Sequence, residues 1–551
     1  MKKFTVLFLA GLLILAFGAT ASAQAPKLEF KASGFIDAQT FLGVNVPQYM
    51  NNPQGNAAFW GTAFGMGYPN FYGTVNPALA TPAVVGAGAG KFGVGFNRQD
   101  SHWESRAHLK FDAIMGPNLS GTIFFEIDTG RWGSGWTTGT GLGREANAFG
   151  GWTTDRTAVE VKNIYIDVGL PYFGIPVPIT VRVGAQPIGV RPAMLVYSDG
   201  TGITAGIKID PVLIAPIYAK VLEGNDFQDD DVDVWGLHVN AKLGTFTVGG
   251  YGLYYRMNSY PLWVTQPTGI AGFPAVMTPV APGSDKAHMW WLGAYVDGKA
   301  GPVNVNFDFV YDFGSVTNGP NKRITAPDYG LHVRNEGWAV RAKIDYPWEK
   351  FNFGGVGMYA RGPDTHATSA SGLPGSLTSI GTPARRNSGY IVPPGSEQGP
   401  INGESMVVYS MEGAATGGYG LANRANYAAL SPGGFGGTWF AKLYGSVKAT
   451  PWWKVTFQGL YIGDTTKHGN TLGSAFKFPH AFTVALRDDK DIGWELNLLN
   501  EFQIYNNLRF FVGAGYLFAG DATDVGTTFA GGTNRKIANP WALRTRLMYT
   551  F

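Results

Sequence analysis

The amino-acid sequence predicts an all-β protein, a transmembrane antiparallel up-and-down β-barrel of about eighteen strands, within a range of about sixteen to twenty. Apolar and polar residues alternate strictly in many short segments, which is the pattern of strands whose two faces meet different environments. Past residue 23 the chain contains no long uncharged apolar run that could form a membrane helix. Short connections also alternate with long ones, as expected when periplasmic turns alternate with extracellular loops.

The composition of the 551-residue chain supports this interpretation. Charged residues make up 15% of the chain and aromatic residues 14%, and there are 78 glycines. Soluble domains usually contain about 25% charged residues, whereas a barrel whose membrane signal is hidden in alternation needs fewer. The chain has no cysteine, which excludes disulfides, thiolate metal sites and a cysteine nucleophile. Its net charge of +3 is too small to indicate a nucleic-acid partner.

The first 23 residues have the features of a secretory signal peptide. Met1, Lys2 and Lys3 form a basic start, residues 4–18 are apolar, and Ala21-Ser22-Ala23 is an A-x-A cleavage site. The expected domain organisation is therefore a cleaved segment at 1–23 and a single barrel domain at 24–551. Export through such a signal agrees with a location in the outer membrane of a Gram-negative bacterium.

The strand assignment follows the alternation along the chain. In the segment 232–244, for example, Trp235 and Leu237 lie on one face while His238 and Asn240 lie on the other. The predicted strands are 27–41, 102–115, a third with Ile123, Phe125 and Ile127 on one face, 156–168, 178–187, 202–210, 214–223, 232–244, 245–256, 286–300, 301–314, 334–346, 350–361, 437–450, 452–464, 490–505, 506–520 and 540–551. The number is even, as bacterial single-chain barrels require.

The connections fall into two classes, which would place short turns on one rim and long loops on the other. Short turns include Gly116-Pro117-Asn118, Gly244 and 347–349. The long loops are predicted at about 42–101, 131–155, 257–285, 362–436 and 465–489. Aromatic residues cluster at both rims, as expected of two interfacial belts. Those near the loop rim are Tyr254, Tyr255, Trp290, Trp291, Tyr359 and Tyr461, and those at the turns are Tyr172, Phe173, Trp348, Trp452, Trp453 and Tyr505.

The charged face of the strands should line a lumen too wide for side chains alone to fill. The predicted pore-lining residues are Arg106, Lys110, Glu126, Asp128, Arg182, Asp308, Asp312, Arg341, Lys343, Lys442, Lys448, Glu495, Arg544 and Arg546. Two interpretations are open. The charges form opposed acidic and basic walls, with the basic one giving a mild anion preference, or they pair across neighbouring strands and hold the wall together.

Loops of this length are either functional or disordered. In large barrels one long loop commonly folds inward and narrows the pore, and the same is expected here. The segment 362–436 is rich in glycine, serine, proline and alanine, with Arg386 and Glu404 among its few charges. The segment 42–101 competes with it, because it carries Trp60 and Phe64 among glycines. The sequence does not choose between the two.

The last strand ends the chain with alternating apolar residues, namely Trp541, Leu543, Leu547, Tyr549 and Phe551. This pattern resembles the C-terminal signal of bacterial outer-membrane β-barrels, which the barrel assembly machinery reads. The alternative is an edge strand of a soluble sandwich. The sorted connection lengths favour the barrel.

No arrangement of residues typical of an enzyme is found, and no cofactor or metal site is predicted. The eight histidines are scattered, without paired metal spacing, and no nucleophile elbow is present. One acidic cluster, Asp226, Asp229, Asp230, Asp231 and Asp233, suits either a calcium ion or a solvated acidic loop.

Three short stretches of the sequence resemble a particular family of barrels. Residues 181–187, 493–498 and 513–518 are similar to segments of eighteen-stranded porins of the alginate-export and substrate-specific type. The resemblance implies passive transport of small or oligomeric polar solutes, often through a trimer, and the basic wall adds anionic solutes to the expected ones. Outer-membrane lipid and lipopolysaccharide are expected around the barrel. The lumen lacks the dense arginine lining expected of an alginate exporter. Two alternatives are a barrel sheath that works with periplasmic or extracellular partners and an outer-membrane enzyme.

Overall fold

A computed structural model gives the structure of the protein. It describes residues 27–44, 99–129, 132, 159–170, 177–224, 229–260, 264–268, 276–280, 285–317, 332–362, 364, 386–393, 403–409, 435–467, 488–523, 525–526, 534–536 and 538–551. Within these ranges, eighteen long strands form one closed antiparallel barrel, so the predicted fold class and strand number are confirmed. The predicted signal peptide lies outside the described residues.

The strands follow one another around the wall in chain order. Their bounds are β1 Leu28–Val44, β2 Gln99–Met115, β3 Leu119–Asp128, β4 Glu160–Gly169, β5 Ile179–Val190, β6 Val196–Ile209, β7 Val212–Leu222, β8 Val232–Leu243, β9 Phe246–Tyr260, β10 Asp285–Ala300, β11 Val303–Thr317, β12 His332–Trp348, β13 Phe351–Ala360, β14 Thr438–Thr450, β15 Trp453–Asp464, β16 Asp491–Tyr505, β17 Leu508–Ala519 and β18 Trp541–Thr550. Two short strand pairs form separate sheets that are not part of the wall. They are Val264–Thr268 with Val276–Val280 and Val525–Gly526 with Asn534–Arg535.

The barrel closes between its first and last strands. β1 pairs with β2 on one side and with β18 on the other, where Phe35 lies opposite Thr550. Beyond β18, Gly34 N donates to Phe551 O at 2.9 Å, and Phe551 N donates to Gly34 O at 3.1 Å. Closure gives every strand of the wall a neighbour on both sides, which is what permits strands to cross a hydrocarbon layer.

Connections of opposite length are sorted between the two rims, as predicted. The rim that carries both ends of the wall has short turns such as 244–245 and 506–507, whereas the other rim carries the connections 45–98, 318–331 and 361–437. One connection on the loop rim is short, the five residues 191–195 between β5 and β6. The predicted start of the sixth strand was wrong here, because β6 begins at Val196 and not at residue 202. The polar residues 197–201 masked its alternation.

The two faces of the wall differ in polarity. Large apolar side chains such as Phe30, Phe457 and Leu443 are exposed on the outside, while Asp308, Asp312 and Glu495 are buried on the inside. The predicted loop-rim belt was wrong in part. Tyr254 and Trp290 stack on each other outside, but Tyr255 and Trp291 alternate to the inside and are buried there. Among the described residues, no helix is long and apolar enough to cross a membrane.

Candidate functional site

Three segments from the loop rim lie inside the barrel. They are 191–195, from the connection between β5 and β6, and 386–393 and 403–409, both from the connection between β13 and β14. We call them the inner segments. Two of them meet directly, since Tyr390 Oη donates to the Met194 carbonyl oxygen at 2.8 Å. Of the two loops considered from the sequence, 362–436 therefore contributes to the interior. Most of 42–101 lies outside the described residues.

The segment 386–393 enters along strand β12. Its backbone passes so close to Gly337 that a Cβ there would lie 2.5 Å from both Gly389 O and Tyr390 Cα. Two side chains of the wall then bind the main chain at Ile391. Trp291 Nε1 donates to Ile391 O at 2.7 Å, and Ile391 N donates to Asp312 Oδ1 at 3.3 Å. The inward-facing Trp291 and Asp312 therefore hold this segment against β10 and β11.

The segment 403–409 is held by a buried carboxylate. Glu495 on β16 is 0% exposed, and its oxygens accept hydrogen bonds from three successive main-chain amides, those of Met406, Val407 and Val408, at 2.8, 3.0 and 3.0 Å. Successive amides that point at one anion form a favourable site for negative charge. Tyr409 Oη reaches the wall as well, where it bonds to Thr438 Oγ1 at 2.9 Å.

A second carboxylate points from the same segment to the wall. Glu404 Oε1 accepts a hydrogen bond from Arg341 Nη2 at 2.6 Å, and Oε2 accepts one from Lys442 Nζ. Lys442 Nζ also donates to the Glu404 carbonyl oxygen at 3.0 Å. Burial alone would raise the pKa of the Glu404 carboxyl, but the positive charges of Lys442 and Arg341 bring it below its ordinary value.

Arg191 fixes the third segment at its start. The guanidinium donates to both oxygens of Asp308 at 2.5 and 2.7 Å, and to those of Asp297 at 2.6 and 3.2 Å. It also lies 3.9 Å above the ring of Tyr295. The residues that follow it, Met194 and Leu195, are completely buried. Arg191 adopts a positive φ of 44° although it is not glycine, which agrees with a backbone held in place by these contacts.

These contacts join into one polar chain along the inner face of β10 to β14. Asn306 connects the two halves, since its Nδ2 donates to Asp297 Oδ1 and its Oδ1 accepts from Arg341 Nη1 at 2.6 Å. The chain thus runs from Arg191 through Asp297 and Asn306 to Arg341 and then to Glu404. It links the segments 191–195 and 403–409 to the side of the wall on which Trp291 and Asp312 hold the segment 386–393.

The opposite side of the wall carries ion pairs and hydrogen bonds between different strands. Arg546 contacts Asp37, and Arg544 donates to Gln39 at 2.8 Å. Arg106 forms a bidentate pair with Asp128 at 2.6 and 2.5 Å. Lys162 lies between Glu126 and Asp199, at 3.2 and 2.7 Å. Of the two interpretations left open by the sequence, cross-strand pairing describes this region.

All fourteen residues predicted to line the pore lie on the inner face, but they do different things. Asp308, Arg341 and Lys442 come together at the inner segments, while Asp312 and Glu495 are buried beneath them. Others pair within the wall, namely Arg106, Glu126 and Asp128 as above, Lys110 with Asp112, Arg182 with Asp167, and Lys343 with Asp345. Lys448 is exposed.

Neither Arg191 nor the roles of Glu404 and Tyr390 were predicted from the sequence. The dipeptide Arg191-Pro192 indicates a turn, but nothing in its surroundings shows that the turn points inward. Contacts between residues more than one hundred positions apart, such as that of Tyr390 with Met194, leave no trace in a local pattern.

The acidic cluster between β7 and β8 is neutralised by basic side chains. Asp229 contacts Arg256 at 2.9 Å and Lys286 at 3.3 Å, and Lys220 lies 3.1 Å from both Asp231 and Asp233. Because these carboxylates are already paired with basic side chains, the structure does not support calcium binding by them. Asp226 lies outside the described residues. In the part of the chain that the structure describes, no group of three potential ligands is arranged around a metal position.

No family model and no curated protein matches the sequence. Similar solved structures include three from Pseudomonas aeruginosa. OccK2 (OpdF) is 8% identical over 95% of this chain and 98% of its own, with a TM-score of 0.45. OccK11 (OpdR) is 9% identical over 95% and 96%, with a TM-score of 0.44. The outer membrane protein opdK is 8% identical over 95% and 99%, with a TM-score of 0.43. These are likenesses of fold, and the barrel itself is established by the strand pairing of this chain.

Proposed function

We propose that the chain is an outer-membrane porin that lets small polar solutes diffuse through a water-filled channel. The observation that carries the proposal is a closed wall, apolar outside and charged inside, whose lumen contains segments fixed to the wall by Glu495, Arg191 and Asp312. A wall that served only as an anchor would not need a charged interior. A charged, hydrated lumen with a narrowing is what selective diffusion requires.

The solutes that suit this lumen best are small polar or anionic ones. On the inner face, Lys448 of β14 keeps an exposed side chain, and Lys343 of β12, which is partly exposed and pairs with Asp345, lies two residues from Arg341. Positive side chains along one part of a narrow pore raise the local concentration of anions. The pairing of Arg341 and Lys442 with Glu404 limits this effect, so the anion preference is expected to be mild.

The proposal includes the surroundings of the channel. The exposed apolar exterior suits outer-membrane lipid and lipopolysaccharide, and the C-terminal residues suit recognition by the barrel assembly machinery. A homotrimer and export through the predicted signal peptide belong to the same proposal. We assign the chain no catalytic activity and no cofactor.

Single-channel recording of the purified, refolded protein in a planar bilayer tests the function. We expect ohmic, stepwise openings, in groups of three if the channel is a trimer. In a salt gradient, the zero-current potential should indicate weak anion selectivity, and clear cation selectivity would contradict the assignment of solutes. A correctly inserted barrel that stays closed would contradict the porin proposal. It would instead favour a sheath that works with periplasmic or extracellular partners.

A further inference from the structure

Three arginines surround one carboxylate at the loop rim of the barrel. Arg334 Nε lies 3.6 Å from Glu336 Oε2, Arg361 Nη1 lies 4.0 Å from Oε1, and the Arg386 guanidinium also contacts Oε1. We call these four residues the arginine cluster. None of them takes part in the contacts of the inner segments with the lumen wall described above.

The arginine cluster faces outward. Asn335 and Gly337 of β12 point into the barrel, where Asn335 is 1% exposed and Gly337 abuts Tyr390. Side chains alternate along a strand, so Arg334 and Glu336 share the outer face with Trp338. The indole of Trp338 stacks on the exposed rings of Phe309 and Tyr359, at 6.5 and 5.0 Å between centroids.

The backbone brings two of the arginines side by side. β13 ends at Ala360, opposite Ala339, so the edge of β12 beyond that point has no neighbour from β13. Residues 386–387 occupy this edge in parallel register, which places Arg386 beside Arg334. The same short pairing therefore begins an inner segment and completes the outer cluster.

The charge of the arginine cluster is not balanced. Three guanidiniums share one carboxylate, so the formal sum is 3 − 1 = +2. Among the described residues, the contacts with Glu336 are the only ion pairs that the three arginines form. The carboxylate is covered, with 14% of the Glu336 side chain exposed, while Arg334 and Arg386 are 68% and 56% exposed. Exposed ion pairs contribute little to stability, so stability does not explain why cations are collected here.

The position of the cluster matches the headgroup layer of a membrane. The partly exposed Trp338 and the exposed Tyr359 belong to a row of aromatic residues on the outer face at the loop rim, and such rows mark the membrane interface. Arg334 precedes Trp338 by four residues, which is about 13 Å along an extended strand. The guanidiniums thus lie on the aqueous side of the aromatic row, at the level where lipid phosphates are found.

We propose that the arginine cluster binds the phosphate of a membrane lipid headgroup, such as a phosphorylated glycolipid of the outer leaflet. Planar guanidiniums bind phosphate oxygens through paired hydrogen bonds. The aromatic row below them packs against the acyl region of the same lipid. The proposal rests on the membrane location proposed above, but it does not depend on whether the channel is open.

Native mass spectrometry of the full-length protein in detergent tests the proposal. The probes are diphosphorylated lipid A and the same lipid without its phosphates. Wild-type protein should retain the phosphorylated lipid and not the other. The double variant R334A/R386A should bind the phosphorylated lipid roughly thirtyfold more weakly. The matched control K299A/K350A removes two exposed cations from the opposite rim and should bind as wild type does.

Several outcomes would overturn the assignment. These are equal retention of both lipids by the wild type, unchanged binding by R334A/R386A, or the same loss in K299A/K350A. Retention of inorganic phosphate alone, at the same concentration, would indicate a site for free phosphate instead. If the double variant does not fold, R361A gives the test, with a smaller loss expected and full retention contradicting the proposal.

Channel recordings in bilayers of uncharged lipid separate this inference from the proposed function. R334A should conduct as wild type does, because Arg334 lies on the outer face of β12 and this variant leaves the segment 386–393 unchanged. Conduction with a loss of lipid binding supports both proposals. Conduction with unchanged lipid binding overturns only the lipid site, whereas lipid binding without conduction in the wild type overturns only the porin proposal.

Discussion

The guanidinium of Arg191 donates to both carboxylate oxygens of Asp308, with donor–acceptor distances of 2.5 and 2.7 Å. Arg191 leaves the wall at the end of β5, and Asp308 belongs to β11, so several strands separate them around the barrel. Asp308 is 1% exposed. A carboxylate this deeply buried needs a paired cation. Arg191 therefore neutralises the charge of Asp308 and also holds the inner segment 191–195 against the wall.

Replacing Arg191 by alanine should loosen this segment. The variant removes the partner of a buried carboxylate, a change that costs about 3–5 kcal/mol when no water enters. Water in the lumen will offset part of that, so we expect a loss of about 2 kcal/mol. Urea titration of the refolded barrel measures the stability, and single-channel recording should show a larger conductance. K350A, which removes an exposed cation from the short-turn rim, serves as the control. Wild-type conductance in R191A would contradict the role of Arg191 in narrowing the pore.

Acid should remove the attachment of the segment 403–409 that Glu404 provides. Although burial opposes ionisation, Lys442 and Arg341 lower the pKa of Glu404 below its ordinary value of 4.5. A carboxyl whose pKa is lowered in the folded state stabilises that state fully above the ordinary pKa, and this contribution disappears as the pH falls through the folded value. The attachment through Glu404 is therefore intact at pH 7, and we expect its loss to raise the conductance only below about pH 4.5. Recordings across this range test the expectation.

E404Q is the variant that identifies the titrating group. Glutamine keeps the shape of the side chain but leaves Lys442 and Arg341 without a negative partner on this segment. The variant should conduct at pH 7 as the wild type does in acid, with little further change on acidification. The control is E501Q, which changes an exposed carboxylate paired with Lys454 near the short-turn rim and should keep the acid response. If the conductance of E404Q still rises on acidification, another titrating group causes the acid response.

The wall could be predicted from the sequence because its rules are local. In the last strand, Trp541, Leu543 and Leu547 alternate with Arg544 and Arg546, and this pattern requires one face in lipid and the other in the lumen. Errors arose where alternation was weak, as at 197–201, or where neighbouring aromatic residues took opposite faces, as Trp290 and Trp291 do.

The interior could not be predicted to the same extent, because its contacts join distant parts of the chain. Glu495 was predicted to line the pore, yet its carboxylate is covered by the amides of Met406 to Val408. A carboxylate on a polar face has the same local sequence whether it meets water or a folded loop. The composition of 362–436 indicated a functional loop, but not the points at which it attaches.

The close passage of segment 386–393 over Gly337 predicts a large effect of one methyl group. In G337A the new Cβ would lie 2.5 Å from Gly389 O and from Tyr390 Cα, closer than atoms can approach. We expect a stability loss of about 1–3 kcal/mol, as for other overpacked sites, together with a larger conductance. The control is G357A on the neighbouring strand β13, where a Cβ would meet no atom within 4 Å. Equal behaviour of the two variants would contradict the packing of this segment on β12.

The terminal Phe551 allows assembly to be separated from stability. Its main chain is paired with Gly34, but its ring is 46% exposed and lies 5.8 Å from the ring of Tyr549. F551A keeps the main-chain hydrogen bonds and loses one exposed ring contact, so refolded protein should lose less than about 1 kcal/mol of stability. If the assembly machinery reads this residue, the amount of folded barrel in the outer membrane should fall several-fold in cells. T550A, on the same strand but off the apolar face, should assemble normally. Refolding in detergent bypasses the assembly machinery and reports stability alone, so the two measurements separate assembly from stability. Equal amounts of F551A and T550A in the membrane would therefore show that Phe551 is not part of an assembly signal.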